Sequence, residues 1–161
     1  MLDERRELGL DGRDEMWNDV LYLVPPPGGP HQRLSTRFTV LAGPLADRRG
    51  LVPHMETGLF RDERDYRVPD QLYCRPEDAS DRGAEGAELL VEVRSEGDET
   101  YRKLEFYAAL GVREVLVLHP QPRAVELFRL VDEKYVQVSP AADGAVLVEA
   151  LGLRVDGSAD V

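Results

Sequence analysis

Apolar residues recur at Leu34, Phe38, Leu41 and Leu45, in steps of three and four that lay one stripe along a helix. The spacing predicts a helix from 31 to about 49, ended by Gly50. A second helix is predicted over 99–110 (ETYRKLEFYAAL), with Tyr101, Leu104, Tyr107 and Ala108 on its stripe and Gly111 beyond its end. On either side lie the runs LLVEVR (89–94) and VREVLVLHP (112–120), which read as strands. A strand, helix and strand in that order normally join parallel strands by a right-handed crossover. AVELFRLV (124–131) and KYVQVSP (134–140) form an expected antiparallel hairpin around Asp132-Glu133, with 145–149 adding an edge. Upstream, VLYLV (20–24) is a short strand stopped by three prolines. LVPHMETGLF (51–60) and YRVPDQLYCR (66–75) are expected to pair as a hairpin or meander about RDERD, and the acidic stretch 76–88 reads as a solvated loop.

These elements make the fold class α/β, more exactly α+β: a mixed sheet flanked by helices. At 161 residues and 42% hydrophobic content the chain is expected to be one domain spanning 1–161, with no internal repeat or linker. Composition then narrows the function classes. With 20 Lys and Arg against 31 Asp and Glu, the net charge of −11 opposes a general nucleic-acid binder unless basic groups gather on one strip. A single cysteine, Cys74, excludes an internal disulfide or a Cys-rich zinc site and suits a reducing, cytoplasmic setting. No run approaches the roughly 18 apolar residues of a membrane span, so no membrane association is expected.

Candidate chemistry follows from period-two alternation. In 89–94 it puts Leu90, Glu92 and Arg94 on one face and Leu89, Val91 and Val93 on the other. A buried charged carboxylate costs several kcal/mol, of order 2–7 for even a neutral polar group, unless a partner satisfies it. Val68, Asp70 and Leu72 share a face of the preceding apolar segment, so two carboxylates meet at one sheet end if these strands are neighbours. Two hard oxygen ligands suit Mg²⁺ or Mn²⁺. Lys103, eleven residues after Glu92 on the second helix, has the reach to join them and to stabilise charge on a phosphate or an attacking water. Taken singly, Asp70 after Pro69 reads as a turn residue, Glu92 as an edge-strand glutamate and Lys103 as a solvated helix lysine; together they point to a metal site. Glu56 is a possible third acid, though a solvent-facing one is the simpler reading. His54, His119 and Cys74 have no partners at metal-ligand spacing and are expected to be structural.

The order V68-P69-D70, then G86-A87-E88-L89-L90-V91-E92-V93-R94-S95, then D98-E99-T100-Y101-R102-K103-L104-E105-F106-Y107, then G111-V112-R113-E114 resembles the Uma-type restriction endonuclease family of the PD-(D/E)XK nuclease-like superfamily. The likeness takes in the Pro-rich loop before His31 and the late Gly152-Leu153, covering residues 18 to 155. It implies a restriction-endonuclease-like fold, with Asp70 and Glu92 as catalytic metal ligands, the Val93 carbonyl as a further ligand, and a lysine moved from strand to helix, matching Lys103. It also implies substrate contacts for His31. Arg94 completes an E-x-R version of the motif and, always protonated, serves at most in phosphate binding or charge neutralisation. Two departures stand out: S95-E96-G97-D98-E99 replaces the family's Ser-Pro-Ser-Thr, and Val115-Leu116 replaces an aromatic pair. The implied function is a Mg²⁺- or Mn²⁺-dependent nuclease acting on DNA, with a homodimer as the expected assembly; the alternative is a catalytically silent nuclease-fold domain that binds a partner or self-associates.

Overall fold

The computed structural model describes residues 2–9 and 11–157. Helix α1 (Leu2–Glu7) leads into a short hairpin of β1 (Glu15–Trp17) and β2 (Val20–Tyr22), and the prolines then deliver the chain to α2 (Gly29–Arg48). Four short strands follow: β3 (Val52–Met55), β4 (Leu59–Asp62), β5 (Asp65–Arg67) and β6 (Gln71–Cys74). After β7 (Ala79–Ser80), β8 (Gly83–Ala84) and β9 (Leu89–Val93) comes α3 (Thr100–Ala109), then β10 (Glu114–His119), β11 (Ala124–Val131), β12 (Lys134–Gln137), β13 (Val146–Val148) and β14 (Leu153–Val155).

The strands build two six-stranded sheets and one small hairpin. The central sheet runs β12-β11-β10-β9-β6-β3, and the flanking sheet runs β2-β1-β5-β4-β8-β7. In the central sheet β9 and β10 are parallel, as the intervening α3 predicts, with Glu92 beside Val117 and Val93 beside Leu118. The β11–β12 hairpin turns where expected, and both Asp132 and Glu133 adopt positive φ, the signature of a turn matched to strand twist. Alternation sorts the two faces as read from sequence. Leu89, Val91 and Val93 pack under α2 with Phe38, Ala42, Ala46 and the β13–β14 hairpin. Leu90, Val115 and Val117 pack under α3 with Phe106 and Tyr107.

The segments 51–60 and 66–75 pair antiparallel about 61–65, as expected, with the hairpin divided between two sheets: β3 and β6 pair in the central sheet, and β4 and β5 pair in the flanking sheet. The chain leaves the central sheet at Glu56 and returns through Pro69-Asp70, and a Glu56 N–H to Asp70 carbonyl bond of 3.1 Å closes the neck of this excursion. The structure corrects three expectations. Residues 76–88 are not purely a solvated loop, since β7 and β8 lie there and Ala84 and Ala87 are buried. The strand at 146–148 pairs with β14 rather than adding an edge to the central sheet. On the helices, Leu41 is 55% exposed and Tyr101 43% exposed. The buried stripe of α2 is His31, Ser35, Phe38, Ala42 and Ala46, because small residues let the helix approach the sheet closely.

Candidate active site

Since β6 runs antiparallel to β9, with Gln71 opposite Val91, the residue entering β6 meets the residues leaving β9. Asp70 and Glu92-Val93 are therefore brought to one end of the central sheet, as the shared-face argument required. Asp70 is buried, and its Oδ2 accepts a 2.7 Å hydrogen bond from the Val93 amide and lies 3.2 Å from His31 Nε2. In an extended strand the N–H and C=O of one residue point the same way, so the Val93 carbonyl is directed toward this edge as well. Arg13 Nη2 reaches Asp70 Oδ1 at 3.1 Å, and Arg13 Nη1 lies 3.3 Å from Glu56. Glu56 also accepts a bond from Gln32 at 2.9 Å and is neither buried nor free in solvent.

Glu92 is held from α3. Its Oε1 accepts a 2.5 Å bond from the Tyr107 hydroxyl and lies 3.4 Å from Lys103 Nζ. Residues 103 and 107 are one turn apart on the helix, hence on the face above β9. Lys103 Nζ is closer still to Glu15 Oε1, at 2.8 Å. Glu15 is fixed in turn by the Trp17 indole N–H on its Oε2 (2.7 Å) and by the Val68 amide on its Oε1 (2.9 Å).

The protonation behaviour follows from this crowding. Burial pushes the Glu92 carboxyl up to about 7, reinforced by Asp70 and Glu15 and opposed by the Lys103 ammonium and the Tyr107 hydroxyl. Burial alone would lower Lys103, but Glu92 and Glu15 outweigh it and raise its pKa above the ordinary lysine value. Tyr107, buried beside the same carboxylates, is raised well above its ordinary value by burial first and Glu92 second. Lys103 is thus a fixed cation, and Tyr107 a fixed hydrogen-bond donor.

Four carboxylates, Glu15, Glu56, Asp70 and Glu92, here face two permanent cations, Arg13 and Lys103. Among the described residues no protein donor meets Glu92 Oε2, since both of that side chain's bonds go to Oε1. Surplus negative charge and an open carboxylate oxygen fit a hard divalent cation. No three His, Cys, Asp or Glu side chains among the described residues make a ready cluster for a metal, so such an ion would rest on Asp70, Glu92, the Val93 carbonyl and waters.

Arg94 stands somewhat apart. It pairs with Asp98 and lies over the Tyr101 ring, 4.8 Å from its centroid. Asp98 also accepts from the amides of Ser95 (2.6 Å) and Thr100 (3.1 Å), so the altered 95–99 segment forms a tight turn that starts α3. Sequence reasoning missed Arg13 and Glu15, which come from a segment read only as polar. The available signal was Glu15-Met16-Trp17: alternation around the chain's one tryptophan, with Glu15 and Trp17 on the buried face. His54 and Cys74 lie against each other at 3.8 Å away from the carboxylates.

A family model named Uma2, described as "Putative restriction endonuclease", matches residues 4–160. The fold is similar to the crystal structure of a "putative nuclease belonging to DUF820" from Anabaena variabilis, at 15% sequence identity and TM-score 0.73, covering 96% of this chain and 93% of that one. A weaker likeness, TM-score 0.42 at 14% identity, is to a DrdV–DNA complex; it covers 67% of this chain and about a tenth (10%) of that chain. Comparison with curated proteins gives no match.

Proposed function

The chain belongs to the Uma2 family, and on that premise we propose a metal-dependent phosphodiester hydrolase of the PD-(D/E)XK type. The observation that carries this reading is the convergence of Asp70 and Glu92 at one sheet end with Lys103 held 3.4 Å from Glu92. A Mg²⁺ or Mn²⁺ ion held by Asp70, Glu92 and the Val93 carbonyl would polarise a phosphate oxygen and make a bound water acidic. The chain's own residues prepare the place. His31 and the Val93 amide orient Asp70, and Tyr107 orients Glu92. Lys103, kept protonated by Glu15 and Glu92, presents a positive charge where a pentavalent phosphate would gain negative charge. DNA is the natural substrate class for a member of this family, delivered to a site whose carboxylates would repel it until a cation is bound.

Calorimetric titration with Mn²⁺, joined to cleavage assays on DNA and RNA, tests the proposal. Asp70→Asn and Glu92→Gln keep side-chain shape and should each weaken Mn²⁺ binding at least ~10-fold, with cleavage lost. Lys103→Gln, checked for folding by circular dichroism, should still bind metal without cleaving. Absence of Mn²⁺ binding at millimolar concentration, or binding indifferent to both carboxylate substitutions, overturns the metal site. Metal binding without cleavage of any nucleic acid would leave the silent nuclease-fold domain as the reading.

A further inference from the structure

Beside the site, on the α2 face of the central sheet, opens a cleft of about 350 Å³. Its walls are α2, the end of β10 and the β14 strand, and its floor is apolar, with Leu34, Phe38, Leu118 and Val125. It adjoins the candidate active site directly, since Leu118 neighbours Val93 in the sheet and Pro30 of the cleft precedes His31. Its charge is opposite to that of the chain. Arg33, Arg37, Arg123 and Arg154 line it against one carboxylate, Asp156, in a protein of net charge −11. Arg154 pairs with Asp143. Arg33 and Arg37 are exposed one turn apart on α2, and no ion pair engages either among the described residues.

From this arrangement, and resting on the hydrolase reading above, we propose that the cleft holds an unpaired strand of nucleic acid, with phosphates on Arg33 and Arg37 and a base against the apolar floor. A duplex presents a phosphate every ~1.7 Å along its axis and needs a broad basic footprint. Here the other arginine-lined pocket, with Arg49, Arg75, Arg113 and Arg129, carries Glu88, Glu114 and Glu149 among them, so a duplex laid across the cleft would meet the acidic remainder of the surface and no second strip of uncompensated arginines in that pocket. Single-strand sites combine a basic groove that follows the backbone with a sequence-tolerant platform for bases. The volume lies at the lower end of the range for small-ligand pockets, of order 300–1,000 Å³, which suits one base rather than a stacked pair.

Fluorescence anisotropy with a labelled oligothymidine and a duplex of equal length, in EDTA so that nothing is cut, tests this. The single strand should bind at least ~10-fold more tightly than the duplex. Arg33→Glu/Arg37→Glu should weaken it at least ~10-fold and reduce the salt slope by about 1.4, the value for two single-strand phosphate contacts. Arg48→Glu, at the far end of the same helix, should leave binding nearly unchanged and so separates the cleft from overall charge. Equal or tighter duplex binding, no strand binding, or indifference to the double substitution overturns the inference. The two readings fail separately: Mn²⁺-dependent cutting of duplex alone keeps the hydrolase and sinks the cleft, whereas Arg33- and Arg37-dependent strand binding without cleavage does the reverse.

Discussion

Glu92 lies on a strand buried on both faces, and the burial that lifts its pKa to about 7 makes the folded protein hold a proton that the unfolded chain releases near 4.5. Its contribution to stability is therefore fully present below pH 4.5 and declines as the pH rises through 7. A shift of that size corresponds to about 3 kcal/mol. Gln at this position cannot ionise, and its carbonyl can still accept from the Tyr107 hydroxyl. In urea melts without metal, Glu92→Gln should gain about 3 kcal/mol relative to the parent protein between pH 4.5 and pH 8, because the other titrating groups are common to both. A constant offset across that range would mean that Glu92 is not the strained group. Asp70 and Glu92 were legible in sequence because each interrupts an apolar segment. Arg13 and Glu15 were not, because Arg13 precedes the strand and β1 offers a single alternation, Glu15 and Trp17 about Met16, within a polar segment.

At the scale of elements, α2 shows where helical periodicity succeeds and where it stops. The step of three and four located the helix to within two residues at its start and one at its end, yet Leu41 points outward while Ala42 and Ala46 are fully buried. Apolar size marked the wrong edge of the stripe, because what the sheet face formed by Leu89, Val91 and Val93 demands of this helix is close approach. Ala46→Leu should accordingly overpack that contact and destabilise by about 1–3 kcal/mol, whereas Leu41→Lys should change stability by no more than about 0.5 kcal/mol. Thermal or urea denaturation of the two variants checks the contrast, and an equal loss from both would return Leu41 to the core. The β9–α3–β10 unit, by contrast, was readable almost to the residue, since its strands are continuous apolar runs and its helix ends on Gly111, at positive φ.

At the scale of the whole molecule, the division of the strands into two sheets was not readable in sequence, although β2 and the β4–β5 hairpin fall in segments read as strands, because the flanking strands are two to four residues long and pair across the chain, β1 with β5 and β4 with β8. It is joined to the rest through polar groups as much as apolar ones. Arg67 lies between the Trp17 and Phe106 rings at 4.2 and 4.1 Å, and Glu15 reaches across to Lys103. These links are buried and little affected by salt, while the excess of acidic residues that gives the net charge of −11 is spread over the surface. Two opposite responses to salt then compete. Screening weakens exposed ion pairs, each contributing about 0–1 kcal/mol, and it relieves the mutual repulsion of the uncompensated carboxylates, which opposes the compact state. With the Glu15–Lys103 pair that joins the flanking sheet to α3 protected by burial, repulsion should dominate. The urea midpoint should therefore rise as sodium chloride increases from about 0.01 to 0.3 M, over which the screening length falls from roughly 30 Å to below 10 Å. A midpoint that falls over that range would show that exposed ion pairs, and not the buried links between the sheets, hold the molecule together.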